Sequence, residues 1–318
     1  MQPLNTPNYI SEPLTFENFI GNTQIKQILS DNIEVTLKRH GAFPHILIHG
    51  QSGGGKTSLL NALAKKLNTT IVELNCGSGN VNIVNTLLKI PDRGILFLDE
   101  IHALDMQSIE NVLYRYMDQG IIYLRYPDGR IEPFNVGRRI TIAAATTEVD
   151  KLPTPLLNRF TLNLKLKPYT HDEMCAILNL NLQKTLDVSS DAIAILANAT
   201  RYVPRRAVQF SQIVKNYALQ HDLTTIDSNA MRKALHNMGI DEHGFDDFDR
   251  DYIKTLYFTF NNQPTGLNAL ISMLGDSKKT IEEKENWLIR EGFLVRTSRG
   301  RMLSPAGLRI AMQLEQLN

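Results

Sequence analysis

Ile46-Leu47-Ile48 is a short apolar run that ends at a cluster of glycines, and beyond it Leu59, Leu60, Leu63 and Leu67 recur at helical spacing. Ile95-Leu96-Phe97-Leu98 and Ile140-Thr141-Ile142-Ala143-Ala144-Ala145 are two further runs, each followed by polar residues. Runs apolar on both faces fit parallel strands covered by helices, so residues 1–167 predict an α/β domain with a parallel sheet. From Pro168 to about Gly239 the pattern becomes purely helical. Thr170 with Glu173 makes a capping box, Ser189 or Ser190 caps the next helix, and Pro204 sits where proline opens a first turn. These residues, 168–240, predict a compact helical bundle. An acidic, glycine-containing stretch, 241–249, precedes a third unit running to residue 318. There Leu267, Leu270, Ile271 and Leu274, then Ile281, Leu288 and Ile289, predict helices. Residues 293–296 and 301–303 flank Ser298-Arg299-Gly300 as a short β-hairpin. Helices followed by a small basic hairpin predict a winged helix.

At roughly 150 residues per domain, a chain of 318 residues fits two domains, or three small ones. With 42% hydrophobic and 21% charged residues it can bury a sizeable core. No apolar run approaches the length of about 18 residues needed to cross a bilayer, so no membrane association is expected. Lys plus Arg is 34 against 33 Asp plus Glu, a net charge of +1. Such a chain has no bulk field for nucleic acid, and any basic footprint must be local. Cys76 and Cys175 lie far apart, which excludes a disulfide scaffold or zinc ribbon and fits a reducing, cytoplasmic compartment. Residues 1–14 lack a basic start followed by an apolar stretch, so they read as a loose arm and not as a secretory signal.

Gly50-Gln51-Ser52-Gly53-Gly54-Gly55-Lys56-Thr57 matches G-x-x-x-x-G-K-[ST] between a predicted strand and a predicted helix. The chemistry needs that order: glycines let backbone N–H groups close around phosphate oxygens, Lys56 neutralises the β- and γ-phosphates, and Thr57 reaches Mg²⁺. Asp99 and Glu100 end the second apolar run. A carboxylate there can hold the metal, and its neighbour can orient or deprotonate the attacking water. Thr146 and Thr147 follow the third run and offer a hydroxyl to the γ-phosphate or the water. Arg159 fits an arginine finger or a solvated arginine, and Arg205 fits a nucleotide contact on a turn that also carries Arg201 and Arg206.

Taken in order, Glu17-Asn18-Phe19-Ile20-Gly21, the phosphate loop, Leu98-Asp99-Glu100-Ile101-His102, Ala145-Thr146-Thr147, Arg159-Phe160 and Pro204-Arg205 resemble the AAA+ ATPases. Gly244-Phe245-Asp246, Gly266-Leu267-Asn268-Ala269-Leu270, Thr280-Ile281-Glu282 and the stretch 291–301 are similar to the C-terminal portion of the RuvB family, the bacterial Holliday-junction branch-migration motors. The resemblance covers nearly the whole chain. It implies an AAA+ large domain, a helical lid and a winged helix. It also implies ATP or ADP held by Gly50, Gly53, Gly54, Gly55, Lys56, Thr57 and Ser58, with Phe19 and Ile20 at the adenine. Thr57 and Asp99 would hold Mg²⁺, Glu100 the water, and Thr146 would be the first sensor. Arg159 would act on a neighbouring subunit's ATP, and Arg205 on the ATP of its own chain. Hexameric rings around duplex DNA are implied, with a RuvA-like protein docking on the hairpin 121–136. That segment carries Ile121, Ile122, Leu124, Ile131 and Phe134 around the turn Pro127-Asp128-Gly129. The same apolar strands also fit plain packing on their own domain.

The chain departs from the family at Gln51, Ser52 and Gly54 in the phosphate loop, where the backbone cradle is kept. Ser11-Glu12-Pro13 stands for Leu-Arg-Pro ahead of the adenine pocket, Leu157 for an arginine, and Tyr202-Val203 for Gly-Thr. It therefore reads as a divergent member. In the basic hairpin region, Arg290, Arg296, Arg299, Arg301 and Arg309 stand against the single acid Glu291. That is the footprint of a wing lying along phosphates, with Arg296, Arg299 and Arg301 as the DNA contacts. An ATP-driven motor that moves four-way junctions is the expectation. The alternatives are a clamp-loader-like ATPase, which would carry a helical collar in place of the wing, and a DNA-bound scaffold that ATP only switches.

Overall fold

In a computed structural model, residues 14–79, 81–241 and 243–316 are described. The arm before residue 14, with Ser11-Glu12-Pro13, lies outside them. The strands of the first part are β1 (Ile46–His49), β2 (Ile71–Asn75), β3 (Ile95–Asp99), β4 (Ile121–Arg125), β5 (Ile131–Asn135), β6 (Thr141–Thr146) and β7 (Leu162–Lys165). Five of them form one parallel sheet in the order β2-β3-β6-β1-β7. The three apolar runs of the sequence are its three inner strands. β2 and β7 escape the pattern because they are the edges: Leu162-Asn163-Leu164-Lys165 alternates, with only Leu164 buried.

Alternate side chains of the inner strands enter two separate cores, as the strand period of two requires. Leu47, Leu96, Leu98, Ile142 and Ala144 face one, built with Ile83, Leu87, Ile109, Leu113 and Ile122. Ile46, Ile48, Ile95, Phe97, Ala143 and Ala145 face the other, against the helices Thr23–Arg39 and Lys56–Lys66. These buried side chains hold the strand ends in place, at about 1.5–3 kcal/mol for each large one buried.

Between β3 and β6 the chain makes the helix Met106–Ser108, a π-helical turn Ile109–Leu113, and the helix Tyr114–Gln119. Gly120, at φ 70, ends it and turns the chain into the antiparallel pair β4–β5. Ile122 is fully buried, whereas Tyr123, Tyr126, Ile131 and Phe134 are exposed. Both readings of this hairpin thus find residues: Ile122 and Leu124 pack on their own domain, while Tyr123, Tyr126, Ile131 and Phe134 offer aromatic and aliphatic surface.

The capping box at Thr170 and Glu173 is present, with bonds of 2.8 and 3.2 Å, and Ser189 is the cap of the helix Ser190–Ala199. The helix Pro204–Gln220 opens on its proline. A short parallel pair, β8 (Asp187–Val188) with β9 (Thr225–Ile226), accompanies these helices. The stretch 241–249 is more than a boundary. Asp246 and Asp249 form a capping box for the helix Asp247–Lys254, which the sequence pattern left unseen. Asp249 is fully buried and paired with Arg201, whose guanidinium also donates to the Gly244 carbonyl at 2.8 and 3.1 Å and lies 3.9 Å above the Trp287 ring. β10 (Leu294–Thr297) and β11 (Gly300–Leu303) form the wing, each one residue from the expected bounds. Its core gathers Phe245, Tyr252, Leu270, Ile281, Leu288, Leu294 and Leu303.

The chain divides into two compact units, Met1–Ile177 with Val203–Arg205, and Leu178–Tyr202 with Arg206–Asn318. The winged helix and most of the helical bundle therefore belong to one unit. Among the described residues no helix is long and apolar enough to cross a membrane.

Candidate functional site

Parallel strands deliver their carboxyl ends to one edge of the sheet, where loops approach the N-termini of the following helices. β1 ends in the phosphate loop, β3 in Asp99 and Glu100, and β6 in Thr146. Helix Lys56–Lys66 begins at Lys56 with no side-chain cap, so its first N–H groups remain for an anion. Thr57, half-buried, and Ser58, exposed, lie in that first turn. Gly53 has φ 70, and a Cβ there would lie 2.9 Å from the Val203 methyl and 3.1 Å from the Arg205 Cβ. Gly55 has φ 95, and a Cβ there would lie 3.3 Å from the Tyr169 hydroxyl and 3.5 Å from the Phe19 ring. Only glycine supplies both the backbone angle and the space at these two points. Gly50 and Gly54 complete the cradle.

Lys56 is buried, and its Nζ donates to the carbonyls of Gly50 and Gln51 at 3.0 Å each. Burial lowers its pKa, opposed by the carboxylates of Glu100 and Asp99. Asp99 accepts the Glu100 N–H at 3.0 Å, and its carboxyl is held above the usual range, first by burial and further by the Glu100 charge. Two acids and a lysine thus face one another. A hydroxyl at Thr57 and a carboxylate at Asp99 are hard oxygen donors, the set that suits a magnesium ion.

Glu100 occupies the left-handed region, φ 50, a strained conformation for this residue type and one found at functional sites. Its Oε2 accepts from the Thr147 backbone at 3.3 Å and the Thr147 hydroxyl at 3.2 Å, and lies 3.2 Å from His102 Nδ1. Thr146 is fully buried; its hydroxyl accepts the Glu148 N–H at 2.9 Å and meets His102 Nδ1 at 2.9 Å. Thr146, expected to present the sensing hydroxyl, thus reaches Glu100 only across the His102 ring. Thr146 is the last residue of β6, which is buried on both faces, and the hydroxyl bonded to Glu100 belongs to Thr147, just beyond the strand.

Phe19 is buried beside Gly55, while Ile20 is half-buried. Tyr169, absent from the sequence reading, also lines this corner: its ring lies 2.8 Å from a Cβ built on Gly21, and burial pushes its hydroxyl up to about 12. Arg205 is exposed, and its backbone N–H donates to the Gly53 carbonyl at 3.3 Å. Arg206 instead bonds the Ala199 carbonyl, and burial brings its pKa down to about 10. Of the basic turn, Arg205 alone is both exposed and tied to the phosphate loop.

Arg159 is not loosely solvated. Its Nε and Nη2 donate to the two oxygens of Asp118 at 2.9 and 2.7 Å, its Nη1 donates to the Pro155 carbonyl at 2.7 Å, and its guanidinium lies 4.1 Å from the centre of the Tyr114 ring.

At the wing, the three arginines expected at DNA have different surroundings. Arg301 donates to Glu285 at 3.0 and 3.2 Å and Arg296 to the same carboxylate at 2.6 Å, with the Tyr252 hydroxyl donating to it at 2.8 Å. Glu285 is fully buried, so its charge requires these partners. Arg290 likewise donates to Glu291 and the Arg201 carbonyl. Arg299, in the two-residue turn between β10 and β11, is exposed, as is Arg309.

Residues 11–166 match the family described as the Holliday junction DNA helicase RuvB P-loop domain, and residues 242–311 the RuvB C-terminal winged helix domain. The Holliday junction branch migration complex subunit RuvB of Prochlorococcus marinus is 35% identical over 306 residues, covering 94% of this chain and 86% of that relative. Its counterpart from Fusobacterium nucleatum is 32% identical over 322 residues, covering 95% and 94%. The solved Thermotoga maritima RuvB Holliday junction branch migration motor is similar to this chain with a TM-score of 0.79 at 28% identity, covering 96% of this chain and 98% of that one.

Proposed function

The chain belongs to the RuvB family of ATP-driven Holliday-junction branch-migration motors, and from this premise we propose how its own residues carry the reaction. It binds and hydrolyses nucleotide. The triphosphate lies in the cradle of Gly50, Gly53, Gly54 and Gly55 and on the N–H groups of Lys56, Thr57 and Ser58, with Lys56 against the β- and γ-phosphates. Phe19, Ile20 and Tyr169 take the adenine. Thr57 and Asp99 would hold Mg²⁺, which when bound would offset the charge of the phosphates. Glu100 orients the attacking water and accepts its proton; Thr147 fixes the carboxylate from its other side and takes the first-sensor role in place of Thr146. Arg205 reads the nucleotide of its own chain. Arg159 completes the site of the adjoining protomer, in a hexameric ring around duplex DNA.

Residues 1–167 serve as the ATPase domain, 168–240 as the lid and 241–318 as the DNA-binding winged helix. Arg299 contacts the backbone of the duplex, with sequence left unread. The exposed side of the hairpin 121–136 docks a RuvA-like partner, and the motor acts in the cytoplasm. One observation carries this reading: Lys56, Asp99 and Glu100 converge at the carboxyl edge of the sheet in a chain that ends in a RuvB-type winged helix. The wing β10–β11 stands where a clamp-loader-like ATPase would carry a collar, which disfavours that alternative.

The test mixes purified protein with a synthetic four-way junction and Mg-ATP, with and without a RuvA-like partner. Strand products that vanish with Lys56→Ala are the expected result. ATP turnover without junction movement under every condition would leave only the switched scaffold.

A further inference from the structure

We propose that Asp118 and Tyr114 are positioning residues for Arg159, holding its guanidinium in the orientation in which it completes a neighbouring protomer's nucleotide site. The inference rests on the reading of Arg159 given above and adds the residues that aim it.

A free arginine side chain samples many rotamers, and ordering it at the moment of reaction costs entropy. Here that ordering is built in. Asp118 takes one edge of the guanidinium through two bonds, the Pro155 carbonyl takes Nη1, and the Tyr114 ring lies against the face. Of five N–H groups three are used, and the remaining two sit one each on Nη1 and Nη2. These form the end of the fork, a geometry that suits a pair of phosphoryl oxygens. The charge is secure, because the bonds to Asp118 raise the arginine's pKa further.

The platform is firm. Tyr114 and Asp118 are one turn apart on the helix Tyr114–Gln119, so they share a face. That helix is anchored by fully buried Leu113 and by Tyr116, whose hydroxyl accepts the Ile140 N–H at 2.8 Å and donates to the Arg138 carbonyl at 3.1 Å. The ion pair itself is part exposed, 26% for Arg159 and 45% for Asp118. A pair this wet adds little to folding, so its loss should register in turnover before it registers in stability.

The experiment measures steady-state ATP hydrolysis by full-length rings on four-way junction DNA. Asp118→Ala is expected to lower kcat by about tenfold or more with KM for ATP changed by less than about threefold. Asp118→Glu should recover most of the loss, Tyr114→Phe should match the parent, and Tyr114→Ala should fall with Asp118→Ala. Each defective protein is then mixed with Lys56→Ala protein. A subunit unable to aim its own arginine still has an intact nucleotide site, which a Lys56→Ala neighbour can complete. Mixed rings of Asp118→Ala and Lys56→Ala should therefore exceed either protein alone, as should Arg159→Ala with Lys56→Ala. No rescue of Arg159→Ala would overturn the intersubunit reading. Rescue of Arg159→Ala without rescue of Asp118→Ala would overturn the present inference alone, as would Asp118→Ala protein that turns over faster than the parent. Thermal unfolding checks that each variant is folded; if Asp118→Ala is not, Asp118→Asn takes its place in both measurements.

Discussion

The arginines of the wing are equal in sequence and unequal in consequence, because one buried carboxylate claims two of them. Arg299→Ala should weaken duplex binding at every sequence and reduce the salt dependence by about one phosphate contact, with unfolding temperature unchanged. Arg301→Ala leaves Glu285 buried with a partner missing, and should cost on the order of 2 kcal/mol of stability, several degrees in Tm. Equal Tm values for Arg301→Ala and Arg299→Ala would place Glu285 outside the arrangement described. The charge balance of residues 290–309 omits this acid, which lies before them on the helix Lys278–Arg290. His45 gives a pH signature. Its Nδ1 accepts the Ile142 N–H at 2.9 Å, and burial brings its pKa down from 6.5 to about 4. Between those values the unfolded chain binds a proton that the folded chain refuses. Stability is therefore full above about pH 6.5 and falls as pH drops toward 4, by about 3 kcal/mol in all. Denaturant midpoints across that range should show the slope in the parent and lose it in His45→Asn.

Elements were legible where their signal was contiguous. The phosphate loop occupies consecutive residues, and β1, β3 and β6 are apolar on both faces because each lies between two other strands and two cores. The edge strands β2 and β7 carry half that signal and passed unnoticed. Neither could periodicity reveal which of Thr146 and Thr147 is buried, since β6 is apolar on both faces and only its last residue decides. Asp118 was invisible for a different reason: 41 residues separate it from Arg159. The hairpin pattern fits both packing and docking, and the structure buries Ile122 while leaving Ile131 and Phe134 exposed. Phe134→Asp or Ile131→Asp, placed on exposed positions, should reduce capture of a RuvA-like protein by tenfold or more and leave partner-free ATP hydrolysis at the parent level. Binding assays beside ATPase assays separate the two effects; unaltered capture by both variants would remove the hairpin from the interface.

At the scale of the molecule, the number of folding units is smaller than the number of roles. Arg201 joins the helical bundle to Gly244, Asp249 and Trp287, so the bundle and the winged helix should melt together. Calorimetry of the full chain is expected to resolve two transitions, and truncation after residue 240 should lower the stability of what remains of the bundle. A third independent transition would contradict this. The near-zero net charge has its own corollary: under the proposed ring reading, duplex affinity would come from a few arginines repeated around the ring, and should rise steeply with protein concentration. Finally, the roots of the hairpin are fastened at both ends: Val136 donates to the Gly120 carbonyl at 3.0 Å, and Tyr116 is pinned beneath the returning strand. Five paired residues make an arm about 17 Å long, with no slack where it meets the body. A load applied at its tip would be delivered as torque on the helix that bears Asp118, so a partner docked as proposed and this chain's own Arg159 would sit at opposite ends of a single lever.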